Sequence, residues 1–277
     1  MDGEKCGLGL LFRFRKGMSH SVTIKEAIRN EIERFVRDYQ VKCQTVTAWG
    51  LPVVGFASSS DPAFLELKSA VGPTHALPAD LLPRAAAVVA FFIPFTLETA
   101  KSNERGNTCS WAWSKAYGET NRLIHEVSIH MRAFLAARHH ETSITPATHN
   151  FEPEKLVSDW SHRHVAVIAG LGKMGLNNML ITGRGCCGRL GSFVTSMDIE
   201  PDIRSETEAC LYRHSGACMK CVKQCVNHAL YEKKFDRFGC YEMCLLNNRL
   251  FLDLETADVC GKCLVRVPCS HADPVMA

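Results

Sequence analysis

Nine of the fourteen cysteines in this chain fall within the 60 residues from Cys210 to Cys269. Cys218, Cys221 and Cys225 form a run with two and then three residues between neighbours, Cys210 lies ahead of it, and Cys240, Cys244, Cys260, Cys263 and Cys269 follow. Such a run folds around one iron-sulfur cluster and donates its last thiolate to another. Two [4Fe-4S] clusters need eight thiolates, and the crossing of the chain between them sets the assignment. One cluster takes Cys210 or Cys218, Cys221 and Cys269, with one further thiol from the first run; the other takes Cys225, Cys240, Cys260 and Cys263. Cys244, in YEMCLL, is left over as a small buried hydrophobe on a short helix.

Zinc accepts the same soft thiolates, and the pairs Cys218-x-x-Cys221 and Cys260-x-x-Cys263 would supply one tetrahedral site. The trailing Cys225 and Cys269 have no role in that arrangement, so the spacing favours two clusters. Disulfides are the weakest reading, because thiols of a cytosolic chain stay reduced. The other five cysteines are Cys6, Cys43, Cys109 and the adjacent Cys186 and Cys187. The adjacent pair, in GRGCCGRLG, is too closely spaced to serve one metal and reads as small buried thiols at a turn.

The elements that must position this chemistry come earlier in the chain. Residues 23 to 40 set Ile24, Ile28, Ile32, Phe35 and Tyr39 on one helical stripe with charges opposite. LPVVGFA (51 to 57) and AAAVVAFFI (85 to 93) are short apolar runs bounded by Pro and Gly, the pattern of strands covered on both faces. A second long helix runs from Ser114 to His139, a strand is expected around Ser143 to Pro146, and a helix is expected to start near Pro153 and end at Gly170 or Gly172. GRLGSFVTSM (188 to 197) reads as a further strand. Alternation of this kind over roughly 200 residues predicts an α/β or α+β layered domain, residues 1 to 201, followed by a cluster module, residues 202 to 277.

Composition narrows the classes. Hydrophobic residues make up 46% of the chain and charged residues 22%, values of an ordered globular protein. Lys and Arg total 32 against 29 for Asp and Glu, which gives no electrostatic footprint for nucleic acid. The longest apolar run, Ala85 to Phe95, is too short to cross a bilayer. The N-terminus places its basic residues behind an apolar stretch, the reverse of a secretory signal, so a cytoplasmic location with no membrane contact is expected. The 277 residues require no oligomer and leave a homodimer open.

With these residues in view, the chain resembles the epoxyqueuosine reductases and their relatives, the cobalamin-dependent reductive dehalogenases. The resemblance rests on HVAVIAGLGKMGLNNMLIT (164 to 182), GRLGSFVTSMDIEPD (188 to 202), and the cysteine run followed by FDRFGCYEMC and ADVCGKCLVRVPC. It implies a nitroreductase-like domain that binds a corrinoid (cobalamin), with flavin as the alternative occupant, and a ferredoxin-like double [4Fe-4S] module that feeds it electrons. It further implies that Gly170, Gly172, Gly175, Asn177, Asn178, Leu180 and Thr182 lie beside the corrinoid, with Ser192 and Thr195 as polar contacts. Glycines there would let the backbone approach a flat macrocycle.

The sequence departs from the family in three places. Val226 and Ser270 stand where a proline usually follows the cluster cysteine. The chain stops just after the second cysteine run, where epoxyqueuosine reductases continue into a segment that holds tRNA, so a tRNA substrate is disfavoured. The family's acidic proton donor has only Glu152, Glu154 and Asp159 as nearby counterparts.

Among other residues, His149 in a loop after a strand is a candidate proton donor. Tyr117 lies where relatives carry aromatic residues near the substrate. His162 and His164, flanking Arg163, read as solvent-exposed helix residues. The expected function is a redox enzyme that passes electrons through two clusters to a corrinoid, reducing a substrate or a partner corrinoid protein. A ferredoxin or flavodoxin is the expected donor. The alternative is a ferredoxin-like electron-transfer protein with no substrate of its own.

Overall fold

The computed structural model describes residues 23–148 and 151–276. Helix α1 (Ile24–Lys42) starts at Thr23, whose hydroxyl accepts the Glu26 N–H while the Glu26 carboxylate accepts the Thr23 N–H. Its inward stripe is Ile28, Ile32, Phe35, Val36 and Tyr39. The chain continues through β1 (Val53–Ser58), α2 (Ala63–Ala70), α3 (Pro78–Leu81), β2 (Ala87–Pro94), α4 (Leu97–Ser102) and α5 (Trp111–Ala136). Two small hairpins flank a short helix: β3 (Phe151–Glu152) pairs with β4 (Val157–Ser158), α6 (His162–Ile168) follows, and β5 (Gly172–Met174) pairs with β6 (Leu180–Thr182). Strand β7 (Gly188–Thr195) completes the main sheet, and α7 (Leu211–Ser215), α8 (Lys220–Lys223) and α9 (Arg237–Leu250) carry the cysteine-rich end.

The main sheet is antiparallel in the order β1-β2-β7, with Val89 opposite Phe193 and Phe91 opposite Gly191. Every residue of β2 is buried, as a central strand covered on both faces must be. Side chains alternate across it. Val89, Phe91 and Ile93 join α1 and α5 in one core, with Leu123, Ile124, Val127 and Met131. Val88, Ala90 and Phe92 join α2 and α6 in another, with Phe64, Leu67, Val165 and Ala166. The result is three layers, an antiparallel sheet between two layers of helices.

The long helices and all three main strands form where the apolar patterning places them. Two expected elements do not form. Around Ser143 to Pro146 there is one bridge, Thr142 to Thr195, and one bond from the Ser143 N–H to the Val194 carbonyl; Pro146 has no N–H with which to extend a ladder. Pro153 sits in the β3-β4 turn and starts no helix: Leu156 adopts φ +52°, a left-handed conformation that interrupts helical winding, and α6 begins only at His162.

A third apolar cluster joins the layered part to the cysteines. Phe95, Trp113, Cys186 and Cys187 pack with Cys210, Cys221, Leu230, Leu264, Val265 and Val267. Polar fastenings lock the same seam. Asn103 Nδ2 donates to the Cys260 carbonyl (2.9 Å), the buried Lys262 ammonium donates to the carbonyls of Asn103 (2.8 Å) and Arg105 (2.6 Å), and Asn247 Oδ1 accepts the Cys109 N–H (3.1 Å). Gly261, at φ +70°, lies so close to the Trp113 indole that a Cβ would fall 2.3 Å from it.

Candidate metal centre

Four cysteines from both ends of the cysteine-rich segment surround one space. Cys210 caps α7, Cys218 precedes α8, Cys221 lies within it, and Cys269 returns from the far end; together with Leu176, Asn177, Leu211, Val267, Pro268 and Pro274 they line one small cavity of about 20 Å³. The sequence left the choice between Cys210 and Cys218 open, and both line this cavity. The Cys221 thiol is pushed up to about 12, first by burial and then by the negative charge of Cys269, Cys210 and Cys218 as they ionise. Four crowded thiols cannot all ionise without a cation among them, and an iron-sulfur core supplies that charge. Among the described residues no three His, Cys, Asp or Glu side chains close on a single point as a lone ion demands. The four thiols border one cavity beside the apolar Leu176, Leu211 and Val267, and in chemistry this all-thiolate donor set fits an iron-sulfur cluster.

A second set gathers Cys225, Cys240, Cys260 and Cys263. Burial raises the Cys263 thiol well above its ordinary range, and the charges of Cys260, Cys240 and Cys225 raise it further; Cys260 is pushed up to about 11 by burial, with Cys240, Cys109 and Cys225 adding. Cys240 and Cys244 stand one turn apart on α9 and hydrogen-bond to each other. That bond holds Cys240 down, helped by the Arg163 guanidinium, and holds Cys244 up. The Cys225 sulfur accepts the Ala229 N–H at 3.3 Å. All these cysteines are free thiols.

The nine residues expected beside a macrocycle are spread over the turn after α6, the β5-β6 hairpin and β7. Gly170 borders a groove on another side, with Lys25, Arg29 and Asp202, and Asn177 lines the first cysteine cavity. Gly172, Leu180 and Thr182 belong to the β5-β6 hairpin, where a Cβ on Gly172 would meet the Ile181 carbonyl at 2.0 Å. Gly175 N–H donates to the Met179 carbonyl, and Asn178, at φ +58°, offers its own carbonyl to Arg163 (2.6 Å). The hydroxyls of Ser192 and Thr195 are spent internally, on His162 and Trp160 and on the Glu141 carbonyl. His149 lies outside the described residues.

Tyr117, by contrast, joins a polar cluster that reaches the second cysteine set. Its hydroxyl meets Thr148 Oγ1 (3.2 Å) and Asp258, and the Arg189 guanidinium stacks 4.3 Å over its ring. Burial raises the Tyr117 hydroxyl, while Arg189 acts the other way. Arg189 Nε is buried with no hydrogen-bond partner, an unsatisfied donor that a ligand acceptor would complete. Arg163 connects this cluster to Cys240. Arg189 escaped the sequence reading although a signal exists: it is the one charged side chain in the strand GRLGSFVT, at a position sharing the face of Gly191 and Phe193.

His162 is the clear correction. It is 8% exposed, with Nε2 2.8 Å from the Pro146 carbonyl and Nδ1 2.8 Å from Ser192 Oγ. A carbonyl only accepts, so Nε2 carries the proton and Nδ1 receives the Ser192 hydroxyl. Burial lowers His162 to about 4. His164, half-buried against Ser161, is likewise lowered to about 4 by burial and by Arg163.

No family model and no curated protein matches the sequence. Solved structures match its shape. An epoxyqueuosine reductase from Bacillus subtilis superposes with a TM-score of 0.52 at 20% identity, over 87% of this chain and 66% of that one. The catabolic reductive dehalogenase NpRdhA, in complex with 3-bromo-4-hydroxybenzoic acid, superposes with a TM-score of 0.58 at 15% identity, over 92% of this chain and 34% of that one. The fold is that of the epoxyqueuosine reductases and reductive dehalogenases. An epoxyqueuosine reductase bound to an epoxyqueuosine-modified tRNA stem loop aligns over the same shares as the Bacillus subtilis enzyme, with a TM-score of 0.52 at 19% identity. The chain thus spans less than two thirds of the length of these reductases and about a third of the dehalogenase. No described helix is long and apolar enough to cross a membrane.

Proposed function

We propose that this protein is an iron-sulfur oxidoreductase in which residues 202 to 277 hold two [4Fe-4S] clusters, one on Cys210, Cys218, Cys221 and Cys269 and the other on Cys225, Cys240, Cys260 and Cys263. The observation that carries the reading is the convergence of Cys269 with Cys210, Cys218 and Cys221 on one cavity, which interlaces the two runs as a two-cluster chain requires. Bound clusters would supply one-electron transfer. The protein's part is to bury the sulfurs in apolar surroundings, hold the two sites side by side and fix their ligands through the seam at Asn103, Lys262 and Asn247.

The acceptor, in this proposal, is a corrinoid, and the Tyr117 and Arg189 cluster beside the second set, enclosed in this structure, supplies the polar groups that would face it once that region opens. Arg189 Nε is an unused buried donor, and the carbonyl-bearing amide fringe of a corrinoid offers acceptors to it. Tyr117, held by Thr148 and Asp258, can deliver a proton from its hydroxyl at the same place. The substrate reduced there is a small molecule or a partner corrinoid.

Purification under strict exclusion of oxygen tests both halves. The expected material is brown, contains about eight irons with matching acid-labile sulfide per chain, as two four-iron clusters require, and shows paramagnetic signals on reduction. Added cobalamin should co-purify, and its cobalt spectrum should change on reduction. Material without iron overturns the cluster reading. Clusters without corrinoid binding leave a pure electron carrier, and flavin in place of cobalamin reassigns the acceptor.

A further inference from the structure

Cys186 is fully buried and its thiol sulfur points at Cys269, 4.0 Å away, from outside the four residues assigned to the first cluster. The approach is enforced by backbone. The Cys186 N–H donates to the Cys269 carbonyl (2.9 Å), and the Cys187 N–H donates to the Ser270 carbonyl (3.1 Å). Gly185, at φ +75°, makes the contact sterically feasible: a Cβ there would stand 2.4 Å from the His271 nitrogen and from the Ser270 oxygen.

The surroundings of the Cys186 sulfur bear on where its proton goes. Asn177 Oδ1 accepts the Met179 N–H (3.1 Å), which sets the amide with Nδ2 toward Cys186, and Nδ2 donates to the Cys186 sulfur at 3.7 Å. The sulfur is thereby an acceptor on one side; it lies within hydrogen-bond reach of both Cys187 and Cys269, and of these a cluster-bound Cys269 thiolate is the stronger acceptor for its S–H. The neighbouring Cys187 directs its S–H elsewhere, to the Leu264 carbonyl at 3.3 Å. A cluster-bound Cys269 is a thiolate and can only accept.

We infer that Cys186 is a positioning residue for the first cluster: its thiol donates a hydrogen bond to the ligating sulfur of Cys269 and raises that cluster's reduction potential above the one it would otherwise have. This rests on the cluster assignment proposed above. Reduction adds negative charge that is shared with the ligand sulfurs, and a donor aimed at one of them stabilises the reduced form more than the oxidised one. The sequence reading of Cys186 as merely a small thiol in a turn accounts for its burial but not for its aim.

Reduction potentials of both clusters, followed by paramagnetic resonance in the anaerobically prepared full chain, test this. Cys186→Ala should retain full iron and lower the potential of one cluster, leaving the other unchanged. Cys186→Ser, which keeps a donor, should hold that potential at or above the wild-type value, and Asn177→Leu should lower it less than Cys186→Ala. Unchanged potentials in iron-loaded Cys186→Ala, or equal shifts in both clusters, overturn the inference while leaving the clusters themselves in place. If Cys186→Ala fails to hold iron, Cys186→Ser decides: a first-cluster potential below wild type counts against the hydrogen bond. Wild-type protein without iron sinks the parent reading instead.

Discussion

From Ile24 to Thr195 this protein is held by large apolar side chains: β2 is buried along its whole length, and each of its faces feeds a separate core. From Cys210 onward the elements shrink to α7 and α8 of five and four residues and to α9, of which only Met243 and Asn247 are buried. The exposed large hydrophobics crowd the same stretch, with Tyr231, Phe235, Phe238, Leu246, Leu250 and Leu252 all open to solvent. A buried Phe or Ile contributes roughly 1.5–3 kcal/mol, so the first region has ample sources of stability and the second has few. On the cluster reading proposed above, the second region draws its order from what its sulfurs bind and from its seam with the first.

The largest effect that could break this contrast is removal of the metal. Anaerobic chelation of iron should raise amide hydrogen exchange throughout residues 210 to 269 toward that of an unprotected chain, while β2 and α5 keep their protection. Equal loss of protection in both regions would show a single cooperative unit, and no loss would show that the cysteine-rich end folds without clusters.

A deletion in the layered core inverts the experiment. Phe91 is fully buried and its ring lies 6.4 Å from that of Phe193. Phe91→Ala should cost about 3–5 kcal/mol in denaturant unfolding of the sheet. Iron content per folded molecule should stay at the wild-type value, since Phe91 belongs to the core formed with α1 and α5 and not to the cluster containing the cysteines. Loss of iron in the folded fraction would mean that the seam transmits strain.

The two regions were also legible by different routes. Strands β1, β2 and β7 and helices α1 and α5 could be read from runs and periodicity, because each buries one stripe or both faces. The grouping of Cys218, Cys221 and Cys269 could be expected from spacing, because the last cysteine of one run in a two-cluster chain serves the other site, and the three do border one cavity together with Cys210. What joins distant segments left no local trace. Cys186 meets Cys269 across 83 positions, and Arg189 meets Tyr117 through strand-helix packing. His162 reads as a polar helix residue until the Pro146 carbonyl and Ser192 are seen to enclose it. Pro153 misled for the opposite reason, since a proline suits a tight turn as well as a helix start.

His162 gives a smaller, pH-dependent test within the layered region. It is lowered from 6.5 to about 4 in the folded protein, so the unfolded chain takes up its proton first as pH falls. Its neutral burial costs nothing above pH 6.5. Between pH 6.5 and pH 4 protonation of the unfolded state pulls the equilibrium toward unfolding, by about 3 kcal/mol over the whole interval and about 2 kcal/mol by pH 5. His162 should contribute about that second amount to the fall in unfolding free energy from pH 7.5 to pH 5, and His162→Gln should reduce the fall. An unchanged pH dependence in the variant would place the titration elsewhere.

The smallest expected effect separates the two cysteines on α9. Cys240 is the ligand assigned to the second set above, lowered by the Cys244 hydrogen bond and by Arg163, and Cys244 is its partner one turn away. Cys244→Ala removes one hydrogen bond to a ligating sulfur and a small volume, a loss of about 1 kcal/mol. Full iron content should survive it. Cys240→Ala removes a ligand and should forfeit about half the iron, the share of one cluster in two. If iron is instead retained in Cys240→Ala and lost in Cys244→Ala, the two exchange roles. Equal retention in both would mean that either thiol, one turn from the other on a single helix, can complete the second set, so that α9 supplies a redundant ligand where the first set draws on four separate points of the chain.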